Sequence, residues 1–151
     1  KNQCIKAITE AEAYPGPSLL IAYAPCINHG IKKGMRLSQE EEKRAVECGY
    51  WINFRYHPKW AENERASFSV DSKALDASYL EFLEGENRYA ALLKSKGERA
   101  KTLFEEAKKD AYMRYADLKK IEKMFAENGN SSEKQIFTKK KVNDKMKGSV
   151  N

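Results

Sequence analysis

The segment SLLIAYA, residues 18–24, is a mostly apolar run that stops at Pro25. Apolar runs of this length are typical of strands that are buried on both faces, and such strands lie at the centre of parallel sheets flanked by helices. Because proline has no N–H to donate to a neighbouring strand, the strand is expected to end at Pro25. The run therefore predicts a central parallel strand in an α/β domain.

The flanking segments favour helices and a second strand. Residues 2–14 carry apolar side chains at helical spacing, and the YPGP turn follows. Ser38 and Glu41 match a capping box, which predicts a helix that begins there and ends at Gly49. Residues 50–56, YWINFRY, alternate as a strand with one buried face does. This order of elements predicts a βαβ unit.

From Asp76 onward the pattern is helical. Gly85 is expected to break the first helical stretch, and residues 98–127 form a long charged helix that the sequence ENGNSS, residues 127–132, should end. A narrow apolar stripe with too few clean heptads for a coiled coil predicts packing on the sheet domain or on another subunit. The stripe repeats every seven residues: Phe104, Ala111, Leu118 and Phe125.

The net charge of +6 is concentrated near the end of the chain. Residues 128–151 hold six lysines and two acidic residues, so they contribute +4, and the rest is nearly balanced. Such a composition is more typical of a solvated tail than of a nucleic-acid-binding arm. We therefore expect three regions: the end of an α/β domain (1–75), a helical extension (76–127) and a basic, flexible tail (128–151).

The cysteines and the hydropathy pattern suggest where the protein resides. Cys4, Cys26 and Cys48 form an odd set without a CxxC pair, which disfavours a disulfide framework and favours a reducing compartment. No apolar run approaches the roughly 18 residues that a membrane span needs. Residues 1–14 mix acids and bases, unlike a signal peptide. These features predict a cytoplasmic protein with no membrane partner.

Cys26 is the candidate functional residue, because it follows the carboxyl end of the predicted strand, where ligands bind in open α/β sheets. The CINHG turn could direct backbone N–H groups at an anion or at sulfur. A nucleophilic pair of Cys26 and His29 lacks a placed Asn or Asp, and zinc needs four ligands. An iron–sulfur ligand requires cysteines from elsewhere. A buried packing role is also open.

Four phrases carry a resemblance to a known family: EAEAYPGPSLLIAYAPCINHGIKKGM (10–35), AVECGYWINFRYHP (45–58), VDSKA (70–74) and FLEGENRYAAL (82–92). In order and spacing, from about residue 3 to about residue 118, they resemble the C-terminal end of pyruvate:ferredoxin (flavodoxin) oxidoreductases. The resemblance implies that the segment closes a thiamine-diphosphate-binding α/β domain. It also implies that Cys26 is the isolated fourth ligand of the [4Fe–4S] cluster nearest the thiamine, whereas Cys4 and Cys48 serve packing.

The activity implied by this resemblance is oxidative decarboxylation of pyruvate. Coenzyme A takes the acetyl group, and electrons pass through [4Fe–4S] clusters to ferredoxin or flavodoxin. Thiamine diphosphate and Mg²⁺ act in the full-length enzyme, which is expected to be a homodimer.

The sequence also departs from the family pattern. It has no CxxC pair and no GDG-type motif, and Ala66-Ser67-Phe68 stands where family members often have NPF. We therefore expect a fragment that is inactive alone and depends on the rest of the same polypeptide or on a companion subunit. The alternative is a non-catalytic structural or interaction module that docks on a partner subunit or on nucleic acid.

Overall fold

The computed structural model describes residues 2–63 and 66–147, with side chains for residues 2–60 and 66–126. Short 3-10 helices at Met35–Leu37 and Pro58–Asn63 connect longer elements. Together these helices and strands form an α/β structure with a small sheet. The elements in chain order are α1 (Asn2–Ala13), α2 (Ser38–Glu47), β1 (Phe54–Tyr56), β2 (Phe68–Val70), α3 (Tyr79–Gly85) and α4 (Asn87–Lys147).

Helix α2 begins at Ser38 and ends before Gly49 as predicted, but the predicted capping box does not form. Ser38 already has helical dihedral angles, and Leu37 is the N-cap without a side-chain hydrogen bond. The capping box is wrong because a 3-10 turn leads directly into α2, so Ser38 lies inside the helix rather than before it. The helix ends at Glu47, and Gly49 adopts a φ of 84° that favours glycine.

The run at residues 18–24 does not form the predicted central strand. Residues 17–26 have no regular secondary structure, and the side chains of Leu19 and Ile21 are 84% and 70% exposed. A strand needs hydrogen-bonded neighbours, and no described segment pairs with this run. The run is therefore an exposed, extended segment in this structure.

The sheet that does form is an antiparallel pair of short strands, β1 and β2, in which Phe54 lies opposite Val70. Only the last three residues of the predicted strand 50–56 are in β1. Strands β1 and β2 are consecutive in the chain and pair antiparallel. A βαβ unit needs two parallel strands joined by a helix, so the predicted βαβ unit does not form.

Helix α4 organises the core. Phe104 and Ala111 belong to the larger buried cluster, in which α2, α3 and α4 meet, and Phe82 is completely buried there. Leu118 and Phe125 pack against the smaller cluster formed by Ile52, Phe68 and Val70. The seven-residue stripe thus packs within its own chain, its first half against α2 and α3 and its second half against the small sheet. Burial of each large apolar side chain contributes about 1.5–3 kcal/mol.

The predicted helix breaks before α4 and before residue 98 are confirmed, whereas the predicted end of the long helix is wrong. Helix α3 ends at Gly85 as predicted, and Gly97 interrupts α4 with a φ of 43° just before the predicted helix start at residue 98. The backbone then remains helical through residues 127–132 to Lys147. Asparagine, serine and a single glycine cost a helix only about 0.5–1 kcal/mol each, which is too little to end it. Residues 148–151 of the predicted tail lie outside the described residues.

Helix α1 forms where the sequence predicts it, but polar contacts rather than apolar packing hold it. None of its residues is buried, and Ile8 is 50% exposed. Gln3 donates a hydrogen bond of 3.0 Å to Asp71, and Glu10 forms an ion pair with Arg55, so polar side chains attach α1 to β1 and to the residue that follows β2. Among the described helices, none is both long enough and apolar enough to cross a bilayer.

Candidate functional site

Residues 26–30 form a tight turn, which we call the Cys26 turn. The Gly30 N–H donates a hydrogen bond of 2.8 Å to the Cys26 carbonyl and closes the turn. Gly30 has a φ of 71°, a left-handed conformation that glycine adopts without the steric cost of a side chain. The sequence therefore places Cys26 and His29 on one compact turn rather than at opposite ends of a loop.

The Cys26 thiol is partly exposed and lies beside the His29 ring. Its Sγ is 3.1 Å from His29 Nδ1. Hydrogen bonds from the His29 backbone N–H, the His29 ring and the Asn28 N–H lower the pKa of Cys26 to about 7. Because the thiolate is the form that binds metals and attacks electrophiles, this thiol is chemically competent near neutral pH.

The connection between α3 and α4, residues 85–88, holds the turn, and we call it the α3–α4 junction. The Lys32 N–H donates to the Gly85 carbonyl at 2.8 Å, and Ile31 forms an isolated antiparallel bridge with Glu86. Asn87 Nδ2 donates to the His29 carbonyl at 2.9 Å. The turn is thus fastened to a part of the chain almost 60 residues away.

A polar network under the site joins the junction to the segment that precedes Cys26. Glu86 is completely buried, its Oε1 is 3.4 Å from the Tyr23 hydroxyl, and its Oε2 is 3.4 Å from Arg88 Nε. Arg88 also donates to the Tyr50 hydroxyl at 3.2 Å. Burial, followed by the negative charge of Glu86, raises the pKa of Tyr23, so its hydroxyl stays protonated and can donate to the carboxylate.

The geometry bears on two chemical alternatives for Cys26. It brings Cys26 and His29 together, but in the described residues no Asp, Glu or Asn side chain hydrogen-bonds to the His29 ring. The orienting third member of a nucleophilic triad is therefore missing from this part of the chain. The described residues also contain no cluster of three or more metal-ligating side chains.

The other two cysteines lie apart from this site. Cys48 is completely buried, and burial raises the pKa of its thiol, which agrees with the predicted packing role. Cys4 is exposed on α1, so the packing role that the family resemblance implies for it stays a prediction. Helix α1 has no buried residues, so in the described part of this chain Cys4 has no core to pack into.

The donor chemistry of Cys26 fits a single ligand of an iron–sulfur cluster. Cluster iron is bound by cysteine thiolates, and N–H groups that point at sulfur stabilise the negative charge of ligand and cluster. Cys26 offers an accessible thiol of lowered pKa inside a turn that supplies such N–H groups. The described residues thus contain one suitable ligand, and a complete cluster needs further thiolates.

Comparison with known proteins gives the site its context. The chain is 50% identical over 121 residues to the pyruvate-flavodoxin oxidoreductase of Klebsiella pneumoniae, and 50% identical over 120 residues to the pyruvate:ferredoxin oxidoreductase of Moorella thermoacetica. Each match covers 80% of this chain and 10% of the relative. Most of this chain is therefore homologous to a segment of these pyruvate oxidoreductases. The chain spans about one tenth of the length of those two relatives.

Related enzymes of another name share the same segment. The mitochondrial pyruvate dehydrogenase [NADP(+)] of Euglena gracilis is 43% identical over 93 residues, which is 62% of this chain and 5% of that protein. The similarity to pyruvate oxidoreductases thus extends across enzymes whose names give different electron acceptors. No family model matches the chain.

The sequence identified Cys26 and the turn around it but missed the residues that hold the turn. Asn87 and Glu86 lie in the phrase GEN, which reads as an ordinary helix break. The only local signal is that Gly85 interrupts an amphipathic pattern with two polar residues after it. Nothing in that signal indicates contact with a turn so far away in the sequence.

Proposed function

We propose that this chain is part of a pyruvate:ferredoxin or pyruvate:flavodoxin oxidoreductase and that Cys26 binds one iron of a [4Fe–4S] cluster there. The sequence similarity over 80% of the chain supports the enzyme family. The accessible Cys26 thiol, with its pKa lowered to about 7, supports the ligand role. When bound, the cluster supplies one-electron transfer at a potential that its ligands and hydrogen bonds adjust.

Within this proposal, the chain's own residues present and stabilise a thiolate. The His29 ring nitrogen Nδ1 lies 3.1 Å from Sγ, and the backbone N–H groups of His29 and Asn28 act to lower the pKa of the thiol; such contacts favour the more negative state of a metal–thiolate site. The remaining three thiolates, thiamine diphosphate and Mg²⁺ come from the rest of the same polypeptide or from a companion subunit. The chain alone would then not oxidise pyruvate.

The same proposal gives the exposed segment at residues 18–24 a role. In the complete enzyme this run becomes a strand of the parallel sheet of the thiamine-diphosphate-binding domain, with Cys26 beyond its carboxyl end. The high exposure of Leu19 and Ile21 supports this arrangement, because large apolar side chains at a surface are typical of a face that another part of a protein covers. We further propose coenzyme A as acetyl acceptor, a homodimeric enzyme and, from the free cysteines, a cytoplasmic location.

The test uses the complete oxidoreductase that contains this segment. Cys26→Ser should lower the iron content by up to one cluster per chain and weaken or shift the electron paramagnetic resonance signal of one reduced [4Fe–4S] cluster. Pyruvate-dependent reduction of the acceptor should slow by at least tenfold. Cys4→Ser is the matched control, because Cys4 is exposed on α1 and lies apart from the Cys26 turn. Unchanged iron content and spectrum in Cys26→Ser would refute the ligand role.

An interaction module is the second candidate, and the basic continuation of α4 favours it. Residues 128–147 are helical in backbone and carry six lysines against two acidic residues. A helix with this charge would dock on an acidic partner subunit. Removal of residues 128–151 should then abolish association with that subunit, and association should weaken steeply between 50 and 200 mM salt, on the order of tenfold or more. If the partner is nucleic acid instead, the chain should bind added DNA or RNA, and its affinity should fall comparably with salt.

A further inference from the structure

We propose that Asn87 is a positioning residue for the Cys26 thiol. Asn87 is the first residue of α4 and lies 61 positions after Cys26 in the chain. Its side chain and its backbone both contact the Cys26 turn, and neither contact involves sulfur. The inference rests on the proposed function only in that the positioned thiol would be a cluster ligand. The contacts that position the thiol lie within this chain.

Two hydrogen bonds run from Asn87 to consecutive carbonyl groups of the turn. Nδ2 donates to the His29 carbonyl at 2.9 Å, and the backbone N–H donates to the Gly30 carbonyl at 3.3 Å. The first N–H groups of an α-helix have no partner within the helix. The turn therefore satisfies a donor that α4 leaves open, and α4 in return fixes the orientation of two peptide groups.

His29 is held from both sides as a result. Its carbonyl accepts from Asn87, while its ring nitrogen Nδ1 lies 3.1 Å from the sulfur of Cys26. When the carbonyl is fixed, rotation of the residue that would carry Nδ1 away from Sγ is restricted. Asn87 thus acts on the thiol through His29.

The close approach of Asn87 also explains the glycine at the end of the turn. A Cβ atom at Gly30 would lie 3.3 Å from Asn87 Nδ2, which is tighter than an ordinary van der Waals contact. Glycine therefore serves two purposes at this position: it adopts the φ of 71°, and it leaves room for the amide.

The side chain of Asn87 is exposed, so its contacts with the turn are not a by-product of core packing. The neighbouring contacts between Lys32 and Gly85 and between Ile31 and Glu86 hold the chain after the turn. The two hydrogen bonds from Asn87, by contrast, end on His29 and Gly30 of the turn itself. Its removal should therefore loosen the Cys26 turn while α3 and α4 remain folded.

The experiment uses the full chain with Cys4→Ser, so that Cys26 is the accessible thiol and Cys48 remains buried. Asn87→Ala removes the side-chain donor, and Asn87→Asp keeps the side-chain size while replacing the donor with an acceptor. Ser95→Ala is the matched control, because Ser95 also donates a side-chain hydrogen bond to a backbone carbonyl on α4, that of Leu92, but away from the turn.

Two measurements report on the turn and on the thiol. Hydrogen exchange of the Gly30 amide, followed by NMR, should accelerate about five- to tenfold in both Asn87 variants, which corresponds to the loss of one hydrogen bond of about 1 kcal/mol. Alkylation of Cys26 by iodoacetamide, at a pH high enough to ionise the thiol in every variant, should accelerate about three- to tenfold, because a loosened turn no longer holds the sulfur against His29 Nδ1. Circular dichroism should show unchanged helix content.

The proposal is overturned if either Asn87 variant keeps both rates within twofold of the Ser95→Ala control. It is also overturned if Gly30 exchange accelerates but Cys26 alkylation does not change, because Asn87 would then support the turn without acting on the thiol. Both measurements are made on the chain without a bound cluster. Failure of the Cys26→Ser test in the complete enzyme would remove the ligand role and leave the positioning role of Asn87 standing.

Discussion

Arg55 lies between two carboxylates and connects α1 with the sheet. It donates to Asp71 through Nε at 2.7 Å and through a terminal nitrogen at 2.8 Å, and it pairs with Glu10 of α1. Burial acts to raise the pKa of Asp71, but the hydrogen bonds from Arg55 and Gln3 outweigh it, so the pKa of this carboxyl lies below its ordinary value. Ionised Asp71 therefore stabilises the folded state.

Asp71→Asn should lower the free energy of unfolding at pH 7 by about 1–3 kcal/mol, because a charge-assisted bidentate contact becomes a neutral one. An acid with a lowered folded-state pKa contributes stability above its unfolded pKa of about 3.9 and loses it as the pH falls through the folded value. Urea unfolding at pH 7 and pH 3 should therefore show a gap between variant and parent that shrinks at low pH. Asp76→Asn, at an exposed position, is the control. A gap independent of pH would contradict this account.

Glu41 shows the opposite electrostatic behaviour. Only 6% of its side chain is exposed, its Oε1 has no hydrogen-bond partner, and it lies 3.5 Å from Arg44. Burial raises the pKa of Glu41; Arg44 opposes this shift and the nearby Glu86 adds to it. Its ionised form is therefore disfavoured in the folded protein.

An acid with a raised folded-state pKa loses stability as the pH rises from its unfolded pKa, about 4.3, through the folded value. The free energy of unfolding should therefore decline across that interval in the parent chain, and Glu41→Gln should remove this decline and make the chain more stable at pH 7. The exposed neighbour Glu40 provides the control, Glu40→Gln. Thermal unfolding at several pH values measures the stability of the parent chain and of the two variants. A Glu41→Gln variant that is less stable than the parent at pH 7 would disprove the expectation.

For single residues, the sequence predicted the contacts that lie within one turn. Cys26 and His29 are three residues apart on a turn that ends in glycine, so their proximity is a local property. Asn87 was not predictable, because its contact with the turn arises only after α3 and α4 have folded against the rest of the chain. A polar residue after a helix break carries no sign of which distant carbonyl it will meet.

Two adjacent residues of α4, one buried and one exposed, allow a test of which face of the helix packs in the core. Phe104 is 6% exposed and belongs to the larger core cluster, whereas its neighbour Leu103 is 43% exposed. Phe104→Ala should lower the free energy of unfolding by about 3–5 kcal/mol, since it removes buried apolar atoms and leaves a cavity. Leu103→Ala should cost less than about 1 kcal/mol in the same chemical denaturation experiment. Similar losses for both variants would mean that α4 does not pack by this face.

The elements that the sequence predicted well are those defined by their own periodicity. The seven-residue stripe predicted α4, and Gly85 and Gly49 correctly end α3 and α2. Residues 18–24 failed as a strand because strand formation depends on partners, and the described residues offer this run none. The predicted end of α4 is wrong because the asparagine, serine and glycine residues at 127–132 cost a helix too little to end it.

Among the described residues, the three most exposed large apolar side chains lie close to Cys26 in the sequence. Leu19, Ile21 and Ile27 are 84%, 70% and 86% exposed, although each would be expected in a core. These side chains flank the thiol on both sides in the sequence. Such a surface agrees with the proposal that other polypeptide covers this face and completes the cluster site.

The isolated chain should therefore not depend on these side chains for its stability. The double variant Leu19→Ser and Ile21→Ser should change the free energy of unfolding by less than about 0.5 kcal/mol, because little apolar surface is lost from the core. It should also reduce self-association in light scattering, since it removes exposed apolar area. Leu83→Ser, at a residue that is 2% exposed, is the contrasting control and should destabilise strongly. In the complete oxidoreductase the same double variant should disrupt assembly, because there the two side chains would be buried. A large loss of stability in the isolated chain would show that this segment already packs in it, and the argument that the segment awaits a covering partner would fail.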